Sequence, residues 1–342
     1  MAALTVLGGT SALLALGITL FRRRLSSKWL TSSSITNPTT LTQQHTIIIT
    51  GGNTGLGYET ALDLSQRGGT ILLACRDTVA GERAVHTIRS MTNNDHVHCM
   101  ELDLASLESI RKFAAEVQQR YPSIYALVCN AGVWMPMDKH EKTKDGYEIH
   151  FGLNHLGHFL LIQELVPHMI QSGTAGRVVL VSSSLSKMGV IDMDTKDFIK
   201  EGRAQPEKSF APSGYCDSKL MNALTCRHLA KVLEEKQGSS SSGGESNITT
   251  YSVCPGFCVS DLGRYMTRPL YQKMFIVPMM RLFQRSTVQG AQNIVFATVE
   301  DTSKLVNGGF YQDGKVNEEM LTSHQEIETP LWNLSMELIK EK

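Results

Sequence analysis

Residues 45–57, HTIIITGGNTGLG, decide the fold of this 342-residue chain. The run from His45 to Thr50 is short, apolar and β-branched, which is typical of a buried parallel strand. Glycines follow at once, and a helix is predicted from about Leu56. Strand, glycine-rich turn and helix in this order predict a dinucleotide site, because glycine lets the backbone approach a pyrophosphate and the helix N-terminus attracts its charge. The expected contacts are Thr50, Gly51, Asn53, Gly55, Leu56 and Gly57.

A second motif, YCDSK, places Tyr215 and Lys219 four residues apart. On a helix these positions share a face, so both side chains are predicted to point into one pocket. A phenol with a pKa of about 10 transfers protons poorly at neutral pH unless a nearby cation stabilises the phenolate. Lys219 is expected to supply that cation and to lower the pKa of Tyr215. With the glycine-rich turn, the pair predicts nicotinamide-dependent redox chemistry. Alone, it would more often be a Tyr and a Lys on a solvated helix face, because this spacing recurs by chance.

The glycine spacing is GxxxGxG, and together with four further motifs it resembles the short-chain dehydrogenase/reductase superfamily over about residues 45–315. The further motifs are Asn130-Ala131-Gly132 after an apolar strand, Asn154 in FGLNHLGHFLL, a strand at 178–183 that ends in serines, and Pro255-Gly256 after a strand at 249–254. The resemblance implies an α/β fold, a single Rossmann-type doubly wound parallel sheet with helices on both faces.

The resemblance also implies roles for the site residues. Tyr215 protonates a carbonyl oxygen during reduction, and Ser183, with Ser184 as the alternative, hydrogen-bonds that oxygen. Lys219 also binds the nicotinamide ribose, and Asn154 holds a water in a proton relay with the lysine. Further expected cofactor contacts are Asn130 beside the sheet and Pro255 and Gly256 on the nicotinamide side.

The end of the second predicted strand bears on the choice of cofactor. Arg76 is expected to pair with a 2′-phosphate, which favours NADP(H) over NAD. Asp77 either weakens that preference or caps the helix that begins near Thr78. Asp103, after a strand at 97–102, is implied to lie near the adenine; its alternative role is the N-cap of a helix beginning at about Leu104.

Composition predicts one catalytic domain with an N-terminal extension. Residues 1–24 are expected to be a membrane anchor, uncharged from Ala2 to Phe21 and ended by three arginines; residues 25–44 are a linker, and 45–342 the domain. The arginines and the domain are expected to stay cytosolic. The 33 basic and 33 acidic residues balance, so the net charge gives no electrostatic attraction to nucleic acid. The seven cysteines indicate reduced thiols rather than a metal site.

Two segments are expected to contribute to a substrate pocket. The long interval between Ser183 and Tyr215 predicts an insertion at residues 187–213, either a pocket wall or an inert loop. Residues 262–283, rich in Met and aromatic side chains, are either a mobile apolar lid or an ordinary core helix.

The anchor and the apolar lid favour a lipophilic substrate. The segments LLACRD, TKDGYEIHFGLNHLGHFLL and GGFYQDGK resemble the retinol dehydrogenase group. This implies NADP(H)-dependent interconversion of retinal and retinol, with steroids, polyprenol-type lipids and fatty aldehydes as alternatives, and an inactive cofactor-binding scaffold as the competing hypothesis. The endoplasmic reticulum is the expected membrane, with mitochondrion and lipid droplet left open, as is a homo-oligomer.

Overall fold

The computed structural model describes residues 26, 29–35, 40–136, 139–204, 211–238, 247–259, 262, 274, 279–280 and 283–341. The predicted anchor at residues 1–24 and most of the predicted lid lie outside these residues. Among the residues that the structure does describe, no helix is both long and apolar enough to cross a bilayer.

One eight-stranded sheet forms the centre of the domain, with strand order β3-β2-β1-β4-β5-β6-β7-β8. Strands β1 to β7 are parallel, and β8 closes the edge antiparallel to β7. The strands are β1 Thr46–Thr50, β2 Thr70–Cys75, β3 Val97–Glu101, β4 Ala126–Cys129, β5 Gly176–Val181, β6 Ile248–Val253, β7 Gly309–Gln312 and β8 Lys315–Val316. The doubly wound parallel sheet predicted from the resemblance is therefore present.

Helices cover both faces of the sheet. They are α1 Gly55–Gln66, α2 Thr78–Thr92, α3 Leu107–Arg120, α4 Gly157–Gln171, α5 Ser213–Gly238, α6 Thr287–Val299, α7 Glu318–Thr322 and α8 Gln325–Lys340. Helices α1, α2 and α6 pack in one apolar cluster and α3, α4, α5 and α8 in the other. Because side chains alternate along a strand, Ile47 and Ile49 of β1 enter the first cluster and Ile48 the second.

The predicted elements lie close to the observed ones, and one expectation needs correction. Helix α3 begins at Leu107 with Ser106 as its N-cap, so the alternative role for Asp103 as the cap of a helix from Leu104 is wrong. The cause is local: Asp103 instead accepts a hydrogen bond from the N–H of Ala105, which forms a turn before the helix. In addition, the predicted linker packs on the domain, with Leu30, Ile35 and Leu41 buried.

The strand order creates a crevice at one edge of the sheet. The chain leaves β1 toward β2 on one side and reaches β4 on the other side, so the loops after β1 and β4 diverge there. Ligands of such folds bind outside the carboxyl ends of the strands at this switch point. The glycine-rich turn follows β1, Asn130 follows β4 and the serines follow β5, so all three meet at this edge.

Candidate active site

The glycine-rich turn has the shape of a pyrophosphate cradle. Gly51 and Gly55 have φ of +64° and +59°, a region in which a side chain would be strained. A Cβ at Gly57 would lie 2.4 Å from the carbonyl oxygen of Gly51, whereas one at Gly55 would meet nothing within 4 Å. Thr54, the N-cap of α1, makes no capping hydrogen bond. The first turn of α1 therefore offers uncapped N–H groups beside open space, which fits a dinucleotide phosphate.

Thr50 and Asn130 join the glycine-rich turn to the loop after β4. The Thr50 hydroxyl accepts hydrogen bonds from the N–H groups of Asn130 and Ala131, both at 2.9 Å. The Asn130 side-chain amide donates to the Thr50 carbonyl at 2.9 Å and to the Gly51 carbonyl at 3.4 Å. The two loops that flank the crevice are thus held in one arrangement.

At the end of β2, Arg76 and Asp77 have different surroundings. Asp77 is the N-cap of α2 and accepts a hydrogen bond from the N–H of Ala80 at 2.9 Å, so its capping role is confirmed. Arg76 is exposed, and among the described residues it makes no hydrogen bond or ion pair. The guanidinium of Arg76 is therefore accessible to an anion, whereas the carboxylate of Asp77 already caps helix α2.

Asp103 lies at the same side of the crevice. Its carboxylate is mostly buried, accepts from the N–H of Ala105, and pairs with Lys144 at 3.0 Å. The ion pair joins the loop after β3 to the segment that leads into helix α4.

Tyr215, Lys219 and Ser183 come together at the start of α5. The Lys219 ammonium lies 5.7 Å from the centre of the Tyr215 ring and donates to the carbonyl of Val181 at 2.8 Å. Ser183 is hydrogen-bonded to the Tyr215 hydroxyl. The other two serines point elsewhere: buried Ser182 donates to the Lys219 carbonyl at 2.6 Å, and Ser184 is exposed. The structure thus identifies Ser183 as the serine that faces Tyr215, which the sequence alone left open between Ser183 and Ser184.

Burial sets the protonation of this pair. It raises the pKa of Tyr215, and the hydrogen bond from Ser183 opposes that shift without cancelling it. It lowers the pKa of Lys219 to about 8, against the opposing influence of Cys129 and Cys254. The expectation that Lys219 lowers the pKa of Tyr215 is therefore wrong for the protein alone, because desolvation of the phenolate outweighs a cation that does not touch the hydroxyl.

Asn154 lies in a single π-helical stretch, His150–Leu156, that runs into α4. Its side-chain oxygen accepts from the N–H of Val133 at 2.8 Å, and its amide donates to the Val133 carbonyl and to the Ser218 hydroxyl, each at 3.1 Å. Its own carbonyl accepts from Asn222 at 3.1 Å and from His158 at 2.9 Å. Asn154 thereby joins α5 to the loop after β4.

His158 belongs to this network, and the sequence reasoning missed it. Its Nδ1 faces the Asn154 carbonyl, which can only accept, so Nδ1 carries the proton. Burial lowers the pKa of His158 to about 4, so the ring is neutral and its Nε2 accepts from the Thr50 hydroxyl at 2.9 Å. One imidazole therefore connects the glycine-rich turn to Asn154. The only sequence signal was its position one helical turn after Asn154.

Trp134 is a second residue that the sequence reasoning missed. Its indole ring lies 4.7 Å from the Tyr215 ring at an angle of 36°, and it covers one side of the phenol. His150 lies near another edge, with ring centres 6.4 Å apart. His150 is held in turn by Glu148, at 2.6 Å, and by the N–H of Met135, at 3.0 Å. Both rings contribute to the burial of Tyr215.

The Pro255-Gly256 turn lies beside the loop after β5 that carries Ser182, Ser183 and Ser184, here called the serine loop. Gly256 has φ of +83°, and the Cys254 thiol accepts from the N–H of Ser184 at 3.1 Å and from that of Gly256 at 3.4 Å.

All seven cysteines are free thiols, as the sequence predicted. In the described part of the chain no group of His, Cys, Asp and Glu side chains is arranged to hold a metal ion.

The insertion at 187–213 packs beside the site through buried polar contacts. Asp217, inside the YCDSK motif, pairs with Arg203 at 3.0 Å and accepts from the N–H of Val190 at 2.8 Å. Phe198 packs on Phe151 with ring centres 5.3 Å apart. The described part of this insertion is therefore a fixed flank of helix α5 rather than a free loop.

The comparisons with known proteins agree with this geometry. The family model for the short chain dehydrogenase matches residues 45–195. Retinol dehydrogenase 11 of Mus musculus is 36% identical over 296 residues, which cover 85% of each chain. Retinol dehydrogenase 13 of Homo sapiens is 34% identical and covers 86% of this chain and 84% of its own. The chain belongs to the short-chain dehydrogenase/reductase superfamily, in its retinol dehydrogenase-like group.

Solved structures share the architecture. An uncharacterised protein of Mycobacterium paratuberculosis is 28% identical, with a TM-score of 0.65 and coverage of 91% of this chain and 98% of its own. A short-chain dehydrogenase of Escherichia coli CFT073, solved with NADPH, is 18% identical, with a TM-score of 0.58 and coverage of 80% and 98%. At that identity the likeness concerns the fold alone. Family membership makes the chain a nicotinamide-dependent oxidoreductase that acts on CH–OH groups.

Proposed function

We propose that this protein is a membrane-anchored, NADP(H)-dependent reductase that converts a lipophilic carbonyl to its alcohol, with retinal as the leading substrate. The observation that carries the chemistry is the convergence of Ser183, Tyr215 and Lys219 at the carboxyl edge of the sheet. The relatives named retinol dehydrogenases support the substrate class.

The proposed mechanism assigns proton donation to Tyr215. A bound nicotinamide supplies the hydride. The raised pKa of Tyr215 keeps its phenol protonated at neutral pH, so the hydroxyl is ready to donate to the carbonyl oxygen. Ser183, already hydrogen-bonded to Tyr215, stabilises the charge that develops on that oxygen. Lys219, with a pKa of about 8, still carries a proton at pH 7 and serves as the nearby cation and as a ligand of the ribose.

Asn154 is proposed to act by position. Its main-chain carbonyl accepts from the side chains of Asn222 and His158, and its side-chain amide donates to the Val133 carbonyl and the Ser218 hydroxyl. These hydrogen bonds fix the start of α5 against the loop after β4. A water of the relay would have to compete with Asn222 or His158 for the Asn154 carbonyl. Positioning of this kind matters for catalysis because small displacements of reacting groups lower the rate strongly.

The preference for NADP(H) rests on Arg76. Its side chain is exposed without a described partner, while the adjacent carboxylate of Asp77 caps helix α2. A guanidinium in this state suits a 2′-phosphate, since it can form charge-assisted hydrogen bonds to phosphate oxygens. The other proposed contacts are the residues of the glycine-rich turn, Asn130, Asp103, and the Pro255-Gly256 turn on the nicotinamide side.

The proposed anchor rests on the sequence of residues 1–24, which lie outside the described part of the chain. Their uncharged run has about the length of one membrane crossing, and the three arginines that follow favour a cytosolic domain. The proposed membrane is that of the endoplasmic reticulum. Residues 25–44 are proposed as the connection and 45–342 as the catalytic domain.

The test is oxidation of NADPH and NADH by the full-length protein with retinal and a panel of steroid, polyprenol-type and fatty aldehydes or ketones. We expect turnover with NADPH, a loss of at least about 100-fold in Tyr215→Phe, and a loss of about 10-fold or more in NADPH affinity in Arg76→Ala. Tyr121→Phe, at the end of α3, is the matched control and should keep full activity.

Two outcomes would overturn parts of the proposal. Equal use of NADH and NADPH by the wild type and by Arg76→Ala would remove the assignment of Arg76. Tight NADPH binding without turnover of any carbonyl would instead identify a cofactor-binding scaffold.

A further inference from the structure

Arg285 holds the chain just after the Pro255-Gly256 turn. Its N–H donates to the carbonyl of Phe257 at 2.8 Å, and its carbonyl accepts from the N–H of Val259 at 2.9 Å. Its side chain lies against the turn itself: a Cβ at Gly256 would be 2.7 Å from the guanidinium carbon. Backbone and side chain of one residue therefore fix the turn and the two residues that leave it.

Asp313 fixes the guanidinium of Arg285. The carboxylate binds it in a bidentate pair, with Nη1 to Oδ1 at 2.5 Å and Nη2 to Oδ2 at 2.7 Å. The Arg285 side chain is only 7% exposed. The N–H of Asp313 donates to Asn293 at 2.6 Å, which places the carboxylate. A planar fork held at both nitrogens in a buried setting has little freedom to move away from the turn.

Trp29 covers the same guanidinium. The Arg285 Cζ lies 4.9 Å from the centre of the Trp29 ring, within the range of a cation–π contact. The next residue, Leu30, is buried, and its Cδ1 lies 3.1 Å from where a Cβ at Gly314 would stand. The segment before the domain thus reaches the hairpin between β7 and β8 and, through Arg285, the Pro255-Gly256 turn.

A shift of this turn would also reach the serine loop, because the Cys254 thiol accepts from the N–H groups of both Ser184 and Gly256. We propose that Trp29, together with Arg285 and Asp313, positions the nicotinamide side of the active site. The segment before the domain is then a functional part of that site. This inference rests on the proposed function, in which the Pro255-Gly256 turn borders the nicotinamide.

The test uses the full-length chain with Trp29→Ala, Trp29→Phe and Asp313→Asn. Two quantities are measured: hydrogen exchange of the Val259 amide, and the dissociation constant of NADPH from its fluorescence. In Trp29→Ala and Asp313→Asn we expect faster exchange and a dissociation constant raised roughly 3- to 10-fold, the range of one partly buried cation–π contact. Trp29→Phe keeps an aromatic face and should restore most of both quantities.

Trp332→Phe is the matched control, because Trp332 packs on Phe159 and His228 and not on the turn. It should change neither quantity. The proposal fails if Trp29→Ala leaves Val259 exchange and NADPH affinity at wild-type values, or if Trp29→Phe rescues neither. A wild type that binds neither NADPH nor NADH would overturn the proposed function, and the exchange of Val259 would then decide alone whether Trp29 holds the turn.

Discussion

Burial gives Tyr215 and Lys219 opposite pKa shifts, upward for the phenol and downward, to about 8, for the ammonium. Both shifts favour the neutral form, since a low-polarity surrounding penalises charge. A protonated phenol is the form that a reductase needs. Trp134 contributes to this burial through its contact with the Tyr215 ring, so the aromatic wall also affects the proton chemistry.

At the scale of a single residue, we expect His158 to make the stability of the protein depend on pH. Its pKa is about 4 in the folded protein against 6.5 ordinarily, so the unfolded chain binds more protons between these values. Stability from His158 is therefore complete above pH 6.5 and is lost as the pH falls through about 4. Between pH 7 and pH 5 we expect the free energy of unfolding, measured with urea, to fall by about 2 kcal/mol more in wild type than in His158→Phe.

The control for His158 is His86→Gln, an exposed histidine on α2. It should keep the wild-type difference between pH 7 and pH 5. His155, whose pKa burial lowers to about 3, stays in both proteins and cancels in the comparison. The same pH dependence in wild type and His158→Phe would contradict a neutral imidazole between Thr50 and Asn154.

At the scale of elements, Glu328 attaches the C-terminal helix α8 to α5, the helix of Tyr215 and Lys219. It is 2% exposed and accepts from Arg227 at 2.5 Å and Lys231 at 2.7 Å. Burial alone would raise its pKa, but the bonds from His228, Lys231 and Arg227 together lower it to about 2. Its stabilisation is therefore complete above an ordinary pKa of 4.5 and disappears as the pH falls through 2.

Glu328→Gln tests this attachment. We expect the free energy of unfolding to fall by about 3 kcal/mol at pH 7 and the difference from wild type to shrink by roughly half or more at pH 3. Arg227 keeps hydrogen bonds to the carbonyls of Met320 and Ser323, so the variant should still fold. A difference that does not change between pH 7 and pH 3 would show that the carboxylate charge is not what joins the helices.

At the scale of the whole molecule, the segment before the domain packs on it. Leu30 and Ile35 lie before the first strand and are 7% exposed each, in the apolar cluster of α1, α2 and α6. We expect Leu30→Ala and Ile35→Ala each to lower the free energy of unfolding of the full-length protein by about 2 kcal/mol. Val79→Ala, 67% exposed on α2, is the control and should stay within about 0.5 kcal/mol of wild type. Two variants no less stable than this control would show that residues 29–35 are a free linker.

The motifs identified the fold and most of the residues in the crevice because strand, turn and helix signals are local. The apolar run before Gly51, the glycine spacing and the interval from Tyr215 to Lys219 can all be read along the chain. The identity of Ser183 among three serines, the upward pKa shift of Tyr215, and the contacts of His158, Trp29 and Arg285 depend on residues far apart in sequence. Burial and hydrogen-bond partners arise only when these elements pack, so they belong to the tertiary structure.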